Sequence, residues 1–324
     1  MARWIAILLL VAVLWLAWAL VVPVAPPTAQ TLLFPPGSSS KAMAEQLQRA
    51  GVVRSSLGFE LLHLAMPKKK LKAGEYRFTR PESGLEVFGR IARGDVVQHT
   101  VVVPEGFNIF EIAAAVEAAG LGKKEDFLDV ATHDTALVRA IDPQAGSLEG
   151  YLFPDTYQFS RTMSMHDIAA AMVRQFQRQT QALGMKDVHR VVTLASIVEK
   201  ETAAADERPE IAGVYLNRME HRMALAADPT VVYAAMLKGN YRGAIYQSDL
   251  QSDSPYNTYR AVGLPPGPIA SPGLASIAAA MKPAQTPYLF FVAAGDGSGR
   301  HRFSSSFEQH ERNVIAYRHA LKTH

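Results

Sequence analysis

Apolar positions change their period several times along this chain, and each change marks a predicted element. From Trp4 to Val22 the run of Leu, Val, Ala, Ile and Trp is unbroken and long enough to cross a bilayer as one helix. Pro23 to Gln30 has no period and is rich in proline, which predicts a semi-rigid spacer. A motif then occurs twice at constant offset. Leu32 to Val53 matches Val101 to Gly122, aligning Gly37 with Gly106, Ala44 with Ala113, Leu47 with Val116, Ala50 with Ala119 and Gly51 with Gly120. Each copy reads as a β-rich run, a proline-glycine turn and an amphipathic helix closed by glycine, the mark of a duplicated unit. Between the copies the pattern predicts a helix near Ser56 to Ala65, a strand over Ala73 to Phe78, and a helix near Leu85 to Arg93 ended by Gly94.

Past the second copy the helical period dominates. Lys123 to Asp142 reads as short helices, Met165 to Leu183 and Glu207 to His221 as long amphipathic ones, and Val188 to Ala204 as an apolar helix between them. Asp228 at an N-cap with Pro229 at N1 opens another helix, and Ser271 with Pro272 opens one running to Met281. Tyr288 to Ala293 and His301 to Phe303 predict a hairpin about a glycine-rich turn, and Ser306 to Leu321 a closing helix.

Candidate chemistry sits where the apolar helix ends. At about 100° per residue, Glu201 falls on the same stripe as Val191, Leu194, Ile197 and Val198, whereas Glu199 points the other way, beside Val192, Ala195 and Ser196. A carboxyl aligned with a core-facing stripe loses hydration, which raises its pKa toward the range of a general acid. Glu201 is therefore the candidate acid. The bland alternative is a solvated helix end, or a pair with Arg208 or Arg218.

Around it lie stretches with the composition of loops and helix starts. Leu148 to Ser160 alternates aromatics with turn formers, which fits a sugar-binding cleft, or a core in which Tyr151, Phe153 and Tyr157 are buried and Glu149 is a cap. Tyr256, Asn257, Thr258 and Tyr259, followed by Gly263 to Pro268, make a proline-stiffened loop carrying hydroxyls and an amide.

These stretches together carry a resemblance. ASIVEKET (Ala195 to Thr202), NRM (Asn217 to Met219), DPTVVY (Asp228 to Tyr233), YNTY, GLPPGPIASPG (Gly263 to Gly273) and PYLFFVA (Pro287 to Ala293) resemble the endolytic murein transglycosylase family, the YceG-like proteins. The resemblance implies that the second glutamate of EKET, here Glu201, is catalytic. It places Glu149, Asp228, Thr230 and the residues Tyr256 to Tyr259 along a glycan cleft. It also implies cleavage without water: the muramic acid 6-hydroxyl attacks its own anomeric carbon and leaves a 1,6-anhydro end. Ala226 and Ala227 depart from the pattern, because relatives often carry Gln and a small hydroxyl residue there.

The expected class is α+β: an N-terminal transmembrane helix over 1–22, a linker over 23–30, a repeated LysM-like α+β region over 31–145, and over 146–324 a mainly helical, lysozyme-like catalytic lobe with a short β-hairpin. Arg3 on the N-terminal flank of the apolar run predicts a single-pass inner-membrane protein whose bulk faces the periplasm. The competing reading is a cleaved leader, against which stand the length of the run and the Pro26-Pro27 pair.

Composition narrows the partners. The net charge of +3, without a long basic run or an RNA-type aromatic motif, points away from nucleic acid. The chain has no cysteine, the glycine-rich turn lacks phosphate-loop spacing, and His301, His310 and His319 lack metal-ligand spacing, so no cofactor or metal is expected, though His301 could still touch substrate. Expected partners are peptidoglycan glycan strands, the membrane and, by resemblance, cell-wall synthases beside which new strands are terminated. Two other functions fit the residues. One is a hydrolase in which Glu149, Asp155 or Asp228 is the second carboxylate; the other is a non-catalytic, anchored glycan-binding scaffold.

Overall fold

The repeat read from the sequence is also a repeat of backbone conformation. A computed structural model describes residues 1–323. In it β1 (Gln30–Phe34), α2 (Ser40–Arg49), α3 (Ser56–Ala65), β2 (Gly74–Phe78) and α4 (Gly84–Arg93) follow the apolar helix α1 (Ala2–Val21). The same order returns as β3 (His99–Val103), α5 (Ile109–Ala118), α6 (Lys124–His133), β4 (Asp155–Phe159) and α7 (Met165–Thr180). β1 and β3 bury the same alternate positions, Leu32 and Phe34 in one, Val101 and Val103 in the other. The turns match too, with φ of 84° at Gly37 and 80° at Gly106, then 69° at Gly51 and 72° at Gly120. These positive angles cost glycine little and other residues about 1–2 kcal/mol, which is why glycine recurs in register.

The remaining elements are α8 (Val188–Glu201), α9 (Arg208–Glu220), α10 (Asp228–Leu237), α11 (Gln247–Leu250), α12 (Leu274–Met281), β5 (Phe290–Ala293), β6 (His301–Ser304) and α13 (Phe307–Thr323). The sheets are small: β1 pairs with β2, β3 with β4, and β5 with β6. The fold is thus a mixed one of helices and two-stranded sheets behind an N-terminal apolar helix.

Two compact units divide the chain. The first comprises Met1–Thr100, Ala119–Leu121 and Gln158–Ser164, and the second Val101–Ala118, Gly122–Tyr157 and the chain from Met165 onward. In the first unit β1 and β2 are antiparallel, with Leu32 opposite Tyr76. Their inner faces meet α2, α3 and α4 around Phe34, Leu47, Phe59, Tyr76, Phe88 and Ile91. The helix starts are fixed locally. Ser39 and Ser55 accept from backbone N–H groups of Ala42 and Gly58, and Ser83 with Glu86 closes a capping box.

In the second unit α8 is the central rod. Val192 through Val198 are all buried, including Thr193 and Ser196, so protein covers the helix on every side. Thr193 returns its hydroxyl to His189 O, and Ser196 Oγ accepts Ile269 N–H at 3.0 Å, which lets polar residues lie against the proline-rich loop.

Several element boundaries differ from the sequence reading. α12 starts at Leu274 with Gly273 as its cap, three residues past Ser271, because Ser271 is held instead by backbone bonds to Gly106 and Phe107. Asp228 is the first residue of α10 rather than its cap; Ala227 holds that place and no side-chain capping bond forms. Asp155 to Phe159 forms a strand, and Tyr151 and Phe153 before it are core residues.

Candidate active site

Glu201 is the last residue of α8, and Thr202 behind it turns to extended backbone. Its Oε1 accepts a 2.6 Å hydrogen bond from the Tyr215 hydroxyl on α9. Burial holds the carboxyl above its ordinary pKa, and the charge of Asp228 pushes the same way. The Tyr215 bond, His301 and Arg218 oppose that rise without cancelling it. The residue nevertheless keeps part of its surface in solvent, as an acid that meets a substrate requires. Neither arginine proposed as its partner takes that role. Arg208 pairs with Glu199, and Arg218 donates to Leu289 O at 2.7 Å and Leu225 O at 2.6 Å.

Glu199 corrects the reading that one face of the helix looks away from the core. Its Oε1 accepts from Arg208 Nη2 at 2.9 Å and its Oε2 from Gly273 N at 2.9 Å, with both charged side chains almost wholly enclosed. It clamps the starts of α9 and α12 onto α8. The helical wheel separated the two glutamates correctly, but it could not register that both sides were covered.

The other walls come from α9, α10 and the hairpin. Tyr215 is fully buried, which raises its pKa well above the usual phenol value, and its ring meets Phe291 edge-on. Asn217 donates to Thr286 O and Tyr288 O, so the NRM stretch pins α9 to the segment leading into β5. His301 is held by buried Glu207, which accepts from its backbone N–H at 3.0 Å and faces its Nδ1 at 2.9 Å. Asp228 is exposed and accepts from the Tyr259 hydroxyl at 2.5 Å.

A second carboxyl cluster forms around Tyr233 of α10. Glu149 is fully buried at the start of α5, where its Oε2 accepts Ile109 N–H at 3.0 Å and its Oε1 accepts Gly150 N–H at 3.3 Å. Burial pushes its pKa up to about 8 against the pull of those bonds and of the Tyr233 hydroxyl. Tyr233 meets Tyr256 edge-on with ring centroids 5.1 Å apart. α10 thus carries one member of each cluster, Asp228 and Tyr233. Between them a depression of ≈ 380 Å³ is lined by Asn108, Glu111, Lys200, Asp228, Tyr233 and Tyr241, among others.

The sequence-predicted residues therefore separate into two kinds. Glu201, Asp228 and Tyr259 come together with exposed surface, and Tyr256 is half-buried. Thr230, Asn257 and Thr258 are fully buried and bonded inward. Thr258 Oγ1 accepts Ala227 N–H and meets Thr230 Oγ1 at 2.8 Å, and Asn257 Nδ2 donates to Leu250 O and Ser252 O. Of the three carboxylates considered as a partner for Glu201, Asp228 is the one whose charge bears on it. Glu149 faces α5, and Asp155 bonds Gln175. Tyr215 and Glu207 were not singled out by the sequence; the available signal was Tyr215 and Arg218 set three apart on the apolar side of α9.

Comparisons place the chain among known proteins. A sequence model described as the YceG-like family matches residues 32–316. A Bacillus subtilis protein named endolytic murein transglycosylase is 32% identical, the match covering 90% of this chain and 85% of that one. Proteins of the same name from Streptococcus pneumoniae are 30% identical over 89% of this chain, which spans 58% of their length. The crystal structure of a YceG-like protein from Listeria monocytogenes is 31% identical, with a TM-score of 0.58 over 88% of this chain and 98% of that one.

Proposed function

The chain belongs to the YceG-like family, and from that premise we propose that it is an endolytic lytic transglycosylase cutting the MurNAc-β-1,4-GlcNAc bond of peptidoglycan, with Glu201 as its acid. The observation that carries this reading is one partly accessible carboxyl, raised in pKa by burial and steered by Tyr215. Protonated Glu201 gives its proton to the glycosidic oxygen as the C1–O bond breaks. The muramic 6-hydroxyl then bonds to C1, its proton passes to the Glu201 carboxylate, and a 1,6-anhydro end results with no water consumed. Proximity favours the internal hydroxyl over water where the cleft is dry. Tyr259 and Asp228 stand where they would orient the sugar, and Tyr233 and Tyr241 line the depression that Asp228 borders.

Hydrolysis is the second reading, and exposed Asp228 is the observation in its favour, because it supplies a second carboxylate beside Glu201. The masses of the products decide between them. Purified glycan strands digested with the full chain in detergent should yield ends lighter by one water than reducing ends. Reducing ends would favour Asp228-assisted hydrolysis, and intact strands would leave the scaffold reading.

We also propose that α1 is a retained single-pass anchor in the cytoplasmic membrane, with Arg3 inside and the two units in the periplasm. The β-α-α-β order of the first unit supports the LysM-like reading, and the helix-enclosed α8 supports a lysozyme-like lobe. Strand termination beside wall synthases follows from the same family reading.

A further inference from the structure

We propose that the first unit lies in the membrane interface, with an apolar stripe of α3 immersed among lipid headgroups and upper acyl chains. The inference rests on α1 being a retained anchor. It begins with how α1 meets the first unit. Ala19 of α1 is 3% exposed. A Cβ built on Gly58 of α3 would lie 3.6 Å from Leu16 Cδ1 and 3.7 Å from Ala19 Cβ, and one on Gly84 of α4 would lie 3.3 Å from Leu20 Cα. Two glycines therefore admit the last turns of α1 against the unit. Arg54 locks the exit, lying 4.6 Å over the Trp18 ring and donating to Val22 O and Pro23 O.

Depth follows from length. The 20 residues of α1 rise about 30 Å, the thickness of a bilayer's hydrocarbon core, so the helix has no surplus turn to hold the unit above the lipid. Leu16, which touches α3, lies about 7.5 Å short of the end of α1 at a rise of about 1.5 Å per residue. A helix packed there is at the headgroup boundary or below it.

α3 is built for that place. Leu57, Leu61 and Leu64 are 56%, 41% and 72% exposed. Their spacing puts them on one stripe, turned from Gly58 by about 60–120° at about 100° per residue, beside the contact with α1 and away from buried Phe59 and Leu62. Three large aliphatic side chains in one row are an unusual face to leave to water. On α4, Leu85, which follows the α1-contacting Gly84, is 41% exposed. The chain leaving α3 then presents Lys68, Lys69 and Lys70, all exposed, as cations for lipid phosphates. A row of leucines, a basic flank and an adjoining membrane helix together fit a lipid surface better than a protein partner.

The chain has no cysteine, so single cysteines can be introduced in the full chain at Leu57, Leu61, Leu64, Leu10 within α1, and exposed Glu45 on α2. Each variant is labelled with an environment-sensitive fluorophore and reconstituted into phosphatidylcholine and phosphatidylglycerol vesicles. Immersion to a depth of about 5–10 Å predicts that lipids carrying a shallow quencher dim the three α3 labels roughly twofold while aqueous iodide leaves them bright. The Glu45 label should behave oppositely, and the Leu10 label should respond to a quencher at the bilayer centre. If iodide dims the α3 labels while Leu10 responds to the deep quencher, the anchor stands and this inference falls. If Leu10 does not respond, the anchor reading falls and takes the inference with it. Labels shielded from both lipid and iodide would mean that protein, such as a second copy of the chain, covers the stripe, and this too would overturn it.

Discussion

The Tyr215 hydroxyl reaches from α9 to Oε1 of Glu201 across 2.6 Å, linking a fully buried phenol to a carboxyl at the edge of solvent. The bond does two things at once. It fixes the carboxyl's direction, and it favours the charged form against the larger effect of burial.

Removing that hydroxyl with Tyr215→Phe should therefore raise the pKa of Glu201 further. An acid must be protonated to act, so activity falls as pH climbs through its pKa, and the alkaline limb of the rate profile should move to higher pH in the variant. Folding should lose only about 1 kcal/mol, the usual net value of one hydrogen bond. A limb that stays in place would mean that Glu201 does not set it.

Glu201→Gln should reduce strand cleavage by at least about 10²–10⁴-fold, the usual contribution of a general acid, while binding and melting temperature change little. Glu199→Gln should do the reverse. Opening its enclosed pair with Arg208 costs about 3–5 kcal/mol when one partner is removed, somewhat less for the isosteric amide, and thermal unfolding will report it. Equal loss of activity with equal stability in the two variants would contradict the division of roles drawn here.

Stability should fall as the solution is made alkaline. Glu149 has a pKa of about 8 in the folded chain against 4.5 for an ordinary glutamate, so the native state holds a proton that the unfolded state releases. Stability is then full below about pH 4.5 and declines up to about pH 8, by an amount on the order of a few kcal/mol. Glu201 contributes in the same direction. Urea midpoints at several pH values should show this slope, and Glu149→Gln should flatten most of it.

Ala226 holds φ at 50°, in a region that costs a non-glycine residue about 1–2 kcal/mol. Its N–H donates to Thr258 O, which keeps it there. Ala226→Asn should be neutral or stabilise the fold by up to about 1 kcal/mol, because asparagine tolerates this conformation. Ala226→Val should cost about 1–3 kcal/mol in chemical denaturation.

Much of the framework was legible because local periods determine it. The duplicated strand, turn and helix could be read from paired glycines, and the same glycines carry matched positive φ in both copies. The direction of Glu201 could be read because one helical turn relates it to Ile197 and Val198. What covers the opposite side of α8 could not, since the covering residues Gly273 and Ile269 lie more than seventy positions away. Thr230, Asn257 and Thr258 show the same limit. A hydroxyl or amide turned inward to brace a loop has the same sequence signature as one turned toward a sugar, and only long-range pairing tells them apart.

Because neighbouring protein encloses α8 along its buried length, the rod cannot slide or tilt without dismantling the lobe that surrounds it. On the function proposed above, Glu201 then delivers its proton from a stationary position. In that reading the polysaccharide supplies the travel a turnover requires, bending its scissile linkage onto a point that does not give way.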